Sequence, residues 1–259
     1  MRLITWNVNS VRARLPRVLE LLEQHAPDVV CVQETKVGAD AFPHDVFADV
    51  GYRAVERSEG RWNGVALLVP QDVEVEDVVT DLPGEPNPAE ARWVEATVRG
   101  TRVASVYVPN GREPDHPMFA EKLAFLDAMH ARTEELLSQG PMVVAGDLNV
   151  ALEDRDVWDP AAFVGATHVT PEERDRLAAI LALGVADAFR AVEPDEVGFT
   201  WWDYRMNAFR RRMGMRIDLA LVSPDLTVRS CEVDTTFRVA NEAGDKPSDH
   251  APLVVGLDH

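Results

Sequence analysis

A chain of 259 residues with 17 Pro and 15 Gly, and with neither a Ser/Gly-rich linker nor a repeat, has the length of one α/β domain with a large core. No apolar stretch approaches the roughly 20 residues that cross a bilayer. Met1-Arg2-Leu3-Ile4-Thr5-Trp6 runs straight into a strand-like segment without a signal-peptide block, so the expectation is a cytoplasmic protein with no membrane partner. The formal net charge of −18 is the one global feature that argues against a nucleic-acid partner, although net charge does not decide what a local cleft holds.

In chain order, Leu3 to Asn7 reads as a strand, and Arg14 to His25 as an amphipathic helix with Val18, Leu19, Leu21 and Leu22 inward. Val29 to Val32 reads as a buried strand. Its Cys31, like Cys231 further on, is expected to be a reduced core residue, which suits a cytosolic protein. Gly64 to Val69, Val73 to Val79, Arg92 to Val98 and Arg102 to Val108 look like successive strands, several of them antiparallel because the turns between them are short and rich in Gly and Pro. Glu121 to Leu137 reads as a long helix stopped by Gly140-Pro141. After a strand at Met142 to Ala145, Pro171-Glu172-Glu173-Arg174 opens a second long helix, with Pro in its first turn and acids near its N-terminus, running to Leu183-Gly184. Strands follow at Ile217 to Val222, Cys231 to Thr236 and Leu253 to Leu257. Many strands, few helices and no clean βαβ repetition suggest two packed sheets with helices outside.

Five polar motifs stand at or beside these apolar runs: Trp6-Asn7, Gln33-Glu34-Thr35, Gly146-Asp147-Leu148-Asn149, Arg216-Ile217-Asp218 and Ser248-Asp249-His250. A run that turns abruptly from apolar to carboxylate or amide puts its polar group at a sheet end, where a pocket forms. One such Asp is ordinarily a turn residue or a helix cap; five motifs together suggest a single metal-dependent site. Glu34 is the leading ligand for a hard cation such as Mg²⁺, which takes oxygen ligands and only one or two carboxylates. Asn7 and Asp249 would complete the site, directly or through water. Asp147 and Asn149 alternate about Leu148, so in extended chain they face one side, pairing a carboxylate that orients or deprotonates water with an amide that holds the target oxygen. The bland alternative for that pair is an Asx turn. His250 gains meaning if Asp218 accepts from one ring nitrogen, raising its pKa and aiming the other at a phosphate oxygen. Tyr107 could donate to the same phosphate. Of the other histidines, His168 is the least certain to be a surface, helix or tail residue.

Charge is uneven along the chain. Residues 71–95 carry eight Asp/Glu against the single Arg92, whereas residues 200–216 carry five Arg against the single Asp203. Arginine suits bidentate phosphate contacts.

In this order, the motifs resemble the endonuclease/exonuclease/phosphatase superfamily and, more narrowly, the exonuclease III family of abasic-site (AP) endonucleases. The broad signals are Trp6-Asn7, Gln33-Glu34-Thr35-Lys36, Gly146-Asp147-Leu148-Asn149 and Ser248-Asp249-His250-Ala251-Pro252-Leu253. The finer ones are the Asn7 to Arg14 stretch, Tyr107-Val108-Pro109-Asn110-Gly111, Thr200-Trp201-Trp202-Asp203-Tyr204-Arg205 and Arg216-Ile217-Asp218-Leu219. The resemblance implies a four-layer α/β sandwich of the deoxyribonuclease I-like kind, with two mixed β-sheets flanked by helices. It implies incision 5′ to abasic nucleotides in duplex DNA, leaving a 3′-hydroxyl and a 5′-deoxyribose phosphate, together with 3′-end processing and 3′→5′ exonuclease activity by a monomer. Mg²⁺ is the implied cofactor, with Mn²⁺ as a substitute. By motif match Glu34 takes the metal-ligand role, with Asn7, Asp249, Asp147 and Asn149 around it. Asp147 activates water or protonates the leaving group, and Asn149, Tyr107 and His250 hold the phosphate, with Asp218 orienting His250.

Recognition of damage is expected within residues 200–216. A small apolar pocket can admit a flipped sugar that lacks a base while excluding normal nucleotides, and Trp201, Phe209 and Met215 are candidates for its wall. Arg205, Asn207, Arg210, Arg211, Arg212 and Arg216, with Asn110, are candidate DNA contacts. Asn110 stands where some family members have Gln. Two other readings compete: a metal-dependent phosphatase of the same superfamily acting on small-molecule or lipid phosphoesters, which the acidic charge favours, and a non-catalytic DNA-binding protein of the same fold.

Overall fold

The central strands are buried on both faces, and this forces a layered structure. In the computed structural model, which describes residues 1–259, Val29–Gln33 and Asp218–Val222 have no exposed residue at all. With strands numbered along the chain, the first six-stranded sheet runs β13 (Thr227–Val233), β14 (Leu253–Asp258), β1 (Arg2–Asn7), β2 (Val29–Gln33), β4 (Val65–Pro70), β3 (Tyr52–Arg57). The second runs β5 (Val75–Val79), β6 (Trp93–Val98), β7 (Thr101–Tyr107), β8 (Met142–Asp147), β12 (Asp218–Val222), β9 (Ala186–Asp187). Both sheets are mixed, since β1 pairs with β2 and β7 with β8 in parallel while their other neighbours are antiparallel. A separate ribbon pairs β10 (Trp201–Trp202) with β11 (Gly214–Met215).

The period-2 alternation of side chains builds three apolar layers. Leu3, Val29, Cys31, Val143 and Val255 meet between the sheets. Their sequence neighbours Ile4, Val30 and Val254 pack outward with Val18 and Leu21 of α1 (Leu15–His25) and Phe47 of α2 (His44–Asp49). Val144 and Leu219 pack outward on the other side, against Phe125 and Met129 of α3 (Pro117–Leu137) and Leu177 of α4 (Pro171–Leu181). A short α5 (Ala188–Val192) follows β9. The architecture is therefore the expected helix–sheet–sheet–helix sandwich, with Cys31 and Cys231 buried and free, and no helix is long and apolar enough to cross a membrane.

Several boundaries move for local reasons. α3 begins at Pro117, four residues before the expected Glu121, because Pro occupies its first turn and His116 Nδ1 accepts from the Met118 N–H. The strand expected over Cys231 to Thr236 instead spans Thr227–Val233; Asp234 ends it by accepting from the Thr236 N–H. β3 and α2 were not expected, β3 because its partly exposed residues carry no clear apolar alternation. One close approach decides a residue type: a Cβ at Gly146 would lie 1.9 Å from the Val106 carbonyl oxygen on the paired strand β7.

The topology places the five motifs together. β1, β2, β7 and β8 finish at one end of the sandwich, where Asn7 pairs in register with Gln33, and Tyr107 with Asp147. β12 starts at that same end, Asp218 opposite Asp147.

Candidate active site

Two motif residues leave their strands with left-handed backbone, Glu34 at φ 52° and Asn149 at φ 52°. Non-glycine residues are rarely found there, and such positions cluster at functional sites. The turn after β2 brings the Glu34 carboxylate next to Asn7, whose amide nitrogen donates to Glu34 Oε1 at 2.8 Å and to Asp147 Oδ2 at 2.9 Å. The other Glu34 oxygen pairs with Lys36 at 2.5 Å. Asp147 Oδ1 accepts from the Asn149 N–H at 3.0 Å. This is an Asx turn, so the extended same-face arrangement expected of Asp147 and Asn149 is corrected: the turn, not alternation, brings them together. Asp147 thereby has one oxygen fixed by its own loop and one facing the site.

The segment 248–251 is held onto β1 and β10 by four bonds: Ser248 Oγ to the Asn7 carbonyl (2.7 Å), Trp6 Nε1 to the His250 carbonyl (3.0 Å), and N–H donation from Trp202 to Asp249 O and from Ala251 to Thr200 O. It sets His250 Nδ1 2.8 Å from Asp218 Oδ2 and Nε2 3.7 Å from Asp147 Oδ2, all three side chains buried. Burial alone would lower the imidazole pKa, but Asp218 and Asp147 outweigh it and raise it to about 10. Burial, reinforced by Asp218 and Glu34 and opposed by His250 and the Asn7 amide, raises Asp147 to about 7. The Tyr107 phenol is pushed well above its ordinary value by burial and then by Glu34 and Asp147. At neutral pH the site therefore holds an imidazolium and a phenol as donors beside an Asp147 carboxyl poised between its acid and base forms.

Glu34, Asp147 and His250 present ligand atoms within 4.8 Å of one another. An imidazolium has no free lone pair, so the usable donors are the carboxylate oxygens of Glu34 and Asp147. That set suits a hard, oxygen-seeking divalent cation rather than a thiophilic one. Asn7 turns its amide N–H groups toward both carboxylates, and its oxygen accepts from the Asn9 N–H. Asp249 lies outside this cluster: its oxygens accept from Asn9 Nδ2 (2.9 Å) and Trp201 Nε1 (3.1 Å). Asn149 places its amide nitrogen on the Val108 carbonyl (2.9 Å) and its oxygen toward Asn110 Nδ2 (3.3 Å).

A cavity of about 820 Å³, whose lining includes Arg112, Phe163, His168, Trp201, Met213 and Met215, reaches the site through His168, bonded to the Asn149 carbonyl, and Trp201, bonded to Asp249. Trp201 and Met215 are among its lining residues. Phe209 is not: it packs edge-on against Trp202 (5.0 Å) and lines a different cavity with Arg210 and Arg212. Arg216 is also corrected. It is 1% exposed and held by Asp156 (2.8 Å) and Asp187 (2.6 Å), so it braces the ribbon from within and cannot reach DNA. Arg205, Arg210, Arg211, Arg212 and Asn207 are all exposed, Arg205 paired with Asp203 at 2.6 Å.

Two residues escape sequence reasoning. His168 is buried, with Nδ1 2.6 Å from the Asn149 carbonyl and Nε2 3.4 Å from Asn110 Nδ2. Burial, then Lys122, lowers its pKa to about 4. It is neutral, donating to the carbonyl and accepting from the amide. Trp62 is 62% exposed on a loop tied to the Glu34 turn through Lys36 N–H to Asn63 O and Thr35 N–H to Gly64 O. Only the Arg61-Trp62 pair in a Gly-flanked stretch hinted at it.

The model of the Endonuclease/Exonuclease/phosphatase family matches residues 4–250. Exodeoxyribonuclease III of Haemophilus influenzae is 30% identical over 269 aligned residues, covering 98% of each chain. Among solved structures, a Neisseria 3′ phosphatase bound to a product DNA hairpin superposes with a TM-score of 0.95 at 36% identity, covering 100% of both chains. An AP endonuclease from Archaeoglobus fulgidus does so with 0.93 at 34%, again over 100% of both. The chain belongs to the endonuclease/exonuclease/phosphatase family and, within it, to the exonuclease III-type AP endonucleases.

Proposed function

We propose that this protein is a DNA-repair hydrolase that cleaves phosphoester bonds of duplex DNA 5′ to abasic sites and at blocked or recessed 3′ ends, as a monomer and with Mg²⁺, for which Mn²⁺ can substitute. The observation that carries the reading is the charged pair Asp218–His250 directed at Asp147 beside Glu34. His250 Nε2–H and the Tyr107 hydroxyl donate to the phosphate oxygens, and Asn149 and Asn110 line its other side. Asp147, with a pKa near 7 and one oxygen free of its own loop, takes the proton from the attacking water or returns one to the leaving oxygen. A divalent cation held by Glu34 with Asp147 would polarise the phosphate and offset charge on the leaving oxygen. Neither cysteine nor Ser248 serves as nucleophile, since Cys31 and Cys231 are buried and Ser248 Oγ is committed to the Asn7 carbonyl.

One observation favours 3′-end processing as a full partner of abasic incision. The cavity lined by Trp201 and Met215 is about 820 Å³ and open to solvent, with room for a chain end as well as for a flipped sugar. The DNA-bound 3′ phosphatase among the similar structures points the same way, and it opposes a small-molecule or lipid phosphatase. The test uses three end-labelled duplexes, carrying a central abasic analogue, a 3′-phosphate at a nick, or a recessed 3′-hydroxyl, each with Mg²⁺, Mn²⁺ or EDTA. Metal-dependent nicking 5′ to the analogue and release at the 3′ ends are expected. Inertness on all three, with turnover of small phosphoesters, would overturn the proposal.

A further inference from the structure

Three loops of the site converge on one buried lysine. Lys122, on the face of α3 toward α4, has no exposed surface. Its ammonium donates to the backbone carbonyls of Asn149 (2.6 Å) and Asn110 (3.2 Å) and to the Thr167 hydroxyl (3.3 Å), and it pairs with Glu173. Glu173, equally buried, accepts from the N–H groups of His168 (2.9 Å) and Thr170 (3.0 Å) and from the hydroxyls of Thr167 and Thr170. The loop 108–111 rests directly on the lysine stem, so that a Cβ at Gly111 would lie 2.9 Å from Lys122 Cδ.

This arrangement differs from an ordinary core ion pair. A buried pair can often be replaced by apolar residues of similar volume without loss of stability, so stability alone is a weak reason for a charge at this depth. An apolar side chain cannot, however, hold two carbonyl oxygens at once. Those carbonyls belong to Asn110 and Asn149, whose side chains are bonded to each other (3.3 Å) and which the proposed function sets beside the substrate phosphate. Asn149 is also the residue with left-handed backbone, and its carbonyl additionally takes His168 Nδ1. An ammonium has three donors and no acceptor; here they are shared among two loop carbonyls, a loop hydroxyl and the neutralising carboxylate.

We propose that Lys122 is a positioning residue for phosphoester hydrolysis: it clamps the Asn110 and Asn149 carbonyls and thereby sets both amide side chains at the substrate phosphate, while Glu173 neutralises it and ties in the 167–170 loop. The inference rests on the reading of the site given above. A misplacement of about 1 Å in a supporting group costs on the order of 100-fold in rate, and a loss of that size in kcat is expected when the clamp is removed.

The test compares wild type with two double variants, Lys122→Met/Glu173→Gln and Lys122→Gln/Glu173→Gln, at a temperature where circular dichroism shows all of them folded. Both remove the charge pair at similar volume, but only the second returns an N–H donor to the carbonyls. The expected result is a kcat lower by about 100-fold in the Met form, unchanged KM, an unchanged Kd for duplex DNA in EDTA, and partial recovery of kcat in the Gln form. Wild-type kcat in both folded variants, a change in KM alone, or no recovery with Gln would overturn the clamp. If the Met form does not fold, the kcat-against-KM split of the Gln form decides by the same criteria. A wild type inert on every DNA substrate overturns the nuclease reading and the clamp with it, whereas variants as active as an active wild type overturn the clamp alone.

Discussion

Asp147, His250 and Asp218 form a chain in which each group sets the protonation of the next. Asp218 is fully buried, and its Oδ2 is 2.8 Å from His250 Nδ1, which keeps the imidazole charged to about pH 10. Because this pKa is raised above its unfolded value near 6.5, the stabilisation it represents is fully present below about pH 6.5 and is lost as pH rises through about 10. An NMR titration of His250 in EDTA should therefore show a protonated ring through neutral pH, and Asp218→Asn should bring the midpoint down by more than one unit. A midpoint near 6.5 in the wild type would contradict the charged pair. Asp147→Asn keeps the shape of the Asx turn but loses the basic oxygen, so kcat should fall on the order of 1,000-fold while DNA binding in EDTA is preserved; single-turnover kinetics and a filter-binding titration separate the two. At this scale the sequence was informative about residue identity. Asp147, His250 and Asp218 were singled out because each abuts an apolar run, and a strand end is a local property. His168 was not, because its role depends on the Asn149 carbonyl 19 positions away.

At the scale of elements, the site is assembled by turns and braces rather than by the strands themselves. The ribbon β10–β11 carries Trp201 and Met215 into the cavity wall, and its return to β12 is anchored by Arg216 between Asp156 and Asp187. Replacing Arg216 by Ala leaves the buried Asp187 carboxylate without its cation and Asp156 with Arg190 alone, and should cost about 3–5 kcal/mol, read as a lower urea midpoint. A variant as stable as wild type would show that the cluster is not the brace described. The loop bearing Trp62 is fastened to the Glu34 turn by main-chain bonds and leaves its indole exposed to solvent. Stacking of a base or sugar on such a ring is worth about 1–3 kcal/mol, so Trp62→Ala should raise KM for duplex DNA roughly tenfold, a 1.4 kcal/mol equivalent, with kcat little altered. Equal KM values in steady-state assays would remove Trp62 from the interface.

For the whole molecule, the puzzle is a DNA-directed site on a chain of net charge −18. The acids are concentrated elsewhere, as in residues 71–95, while Arg205, Arg210, Arg211 and Arg212 stand exposed on the segment that flanks the cavity. Binding to DNA should therefore be local and steeply weakened by salt. Each arginine that contacts a phosphate contributes about one unit to the slope of log Kd against log salt. Replacing Arg211 by Gln should flatten that slope by about one in fluorescence anisotropy, and an unchanged slope would place Arg211 off the DNA path. What the sequence by itself determined was what local chemistry determines: strands from alternation, the long helices from periodicity and caps, and the identity of the strand-end carboxylates and histidine. Tertiary structure alone decided which of these meet. Two sheets had to close with β1, β2, β7 and β8 finishing at one end before Glu34, Asp147 and His250 could lie within 4.8 Å of one another. The same closure decided that Arg216 turns inward while Arg211 stays out, because burial of a charge depends on partners far away in the chain, and no local pattern records them.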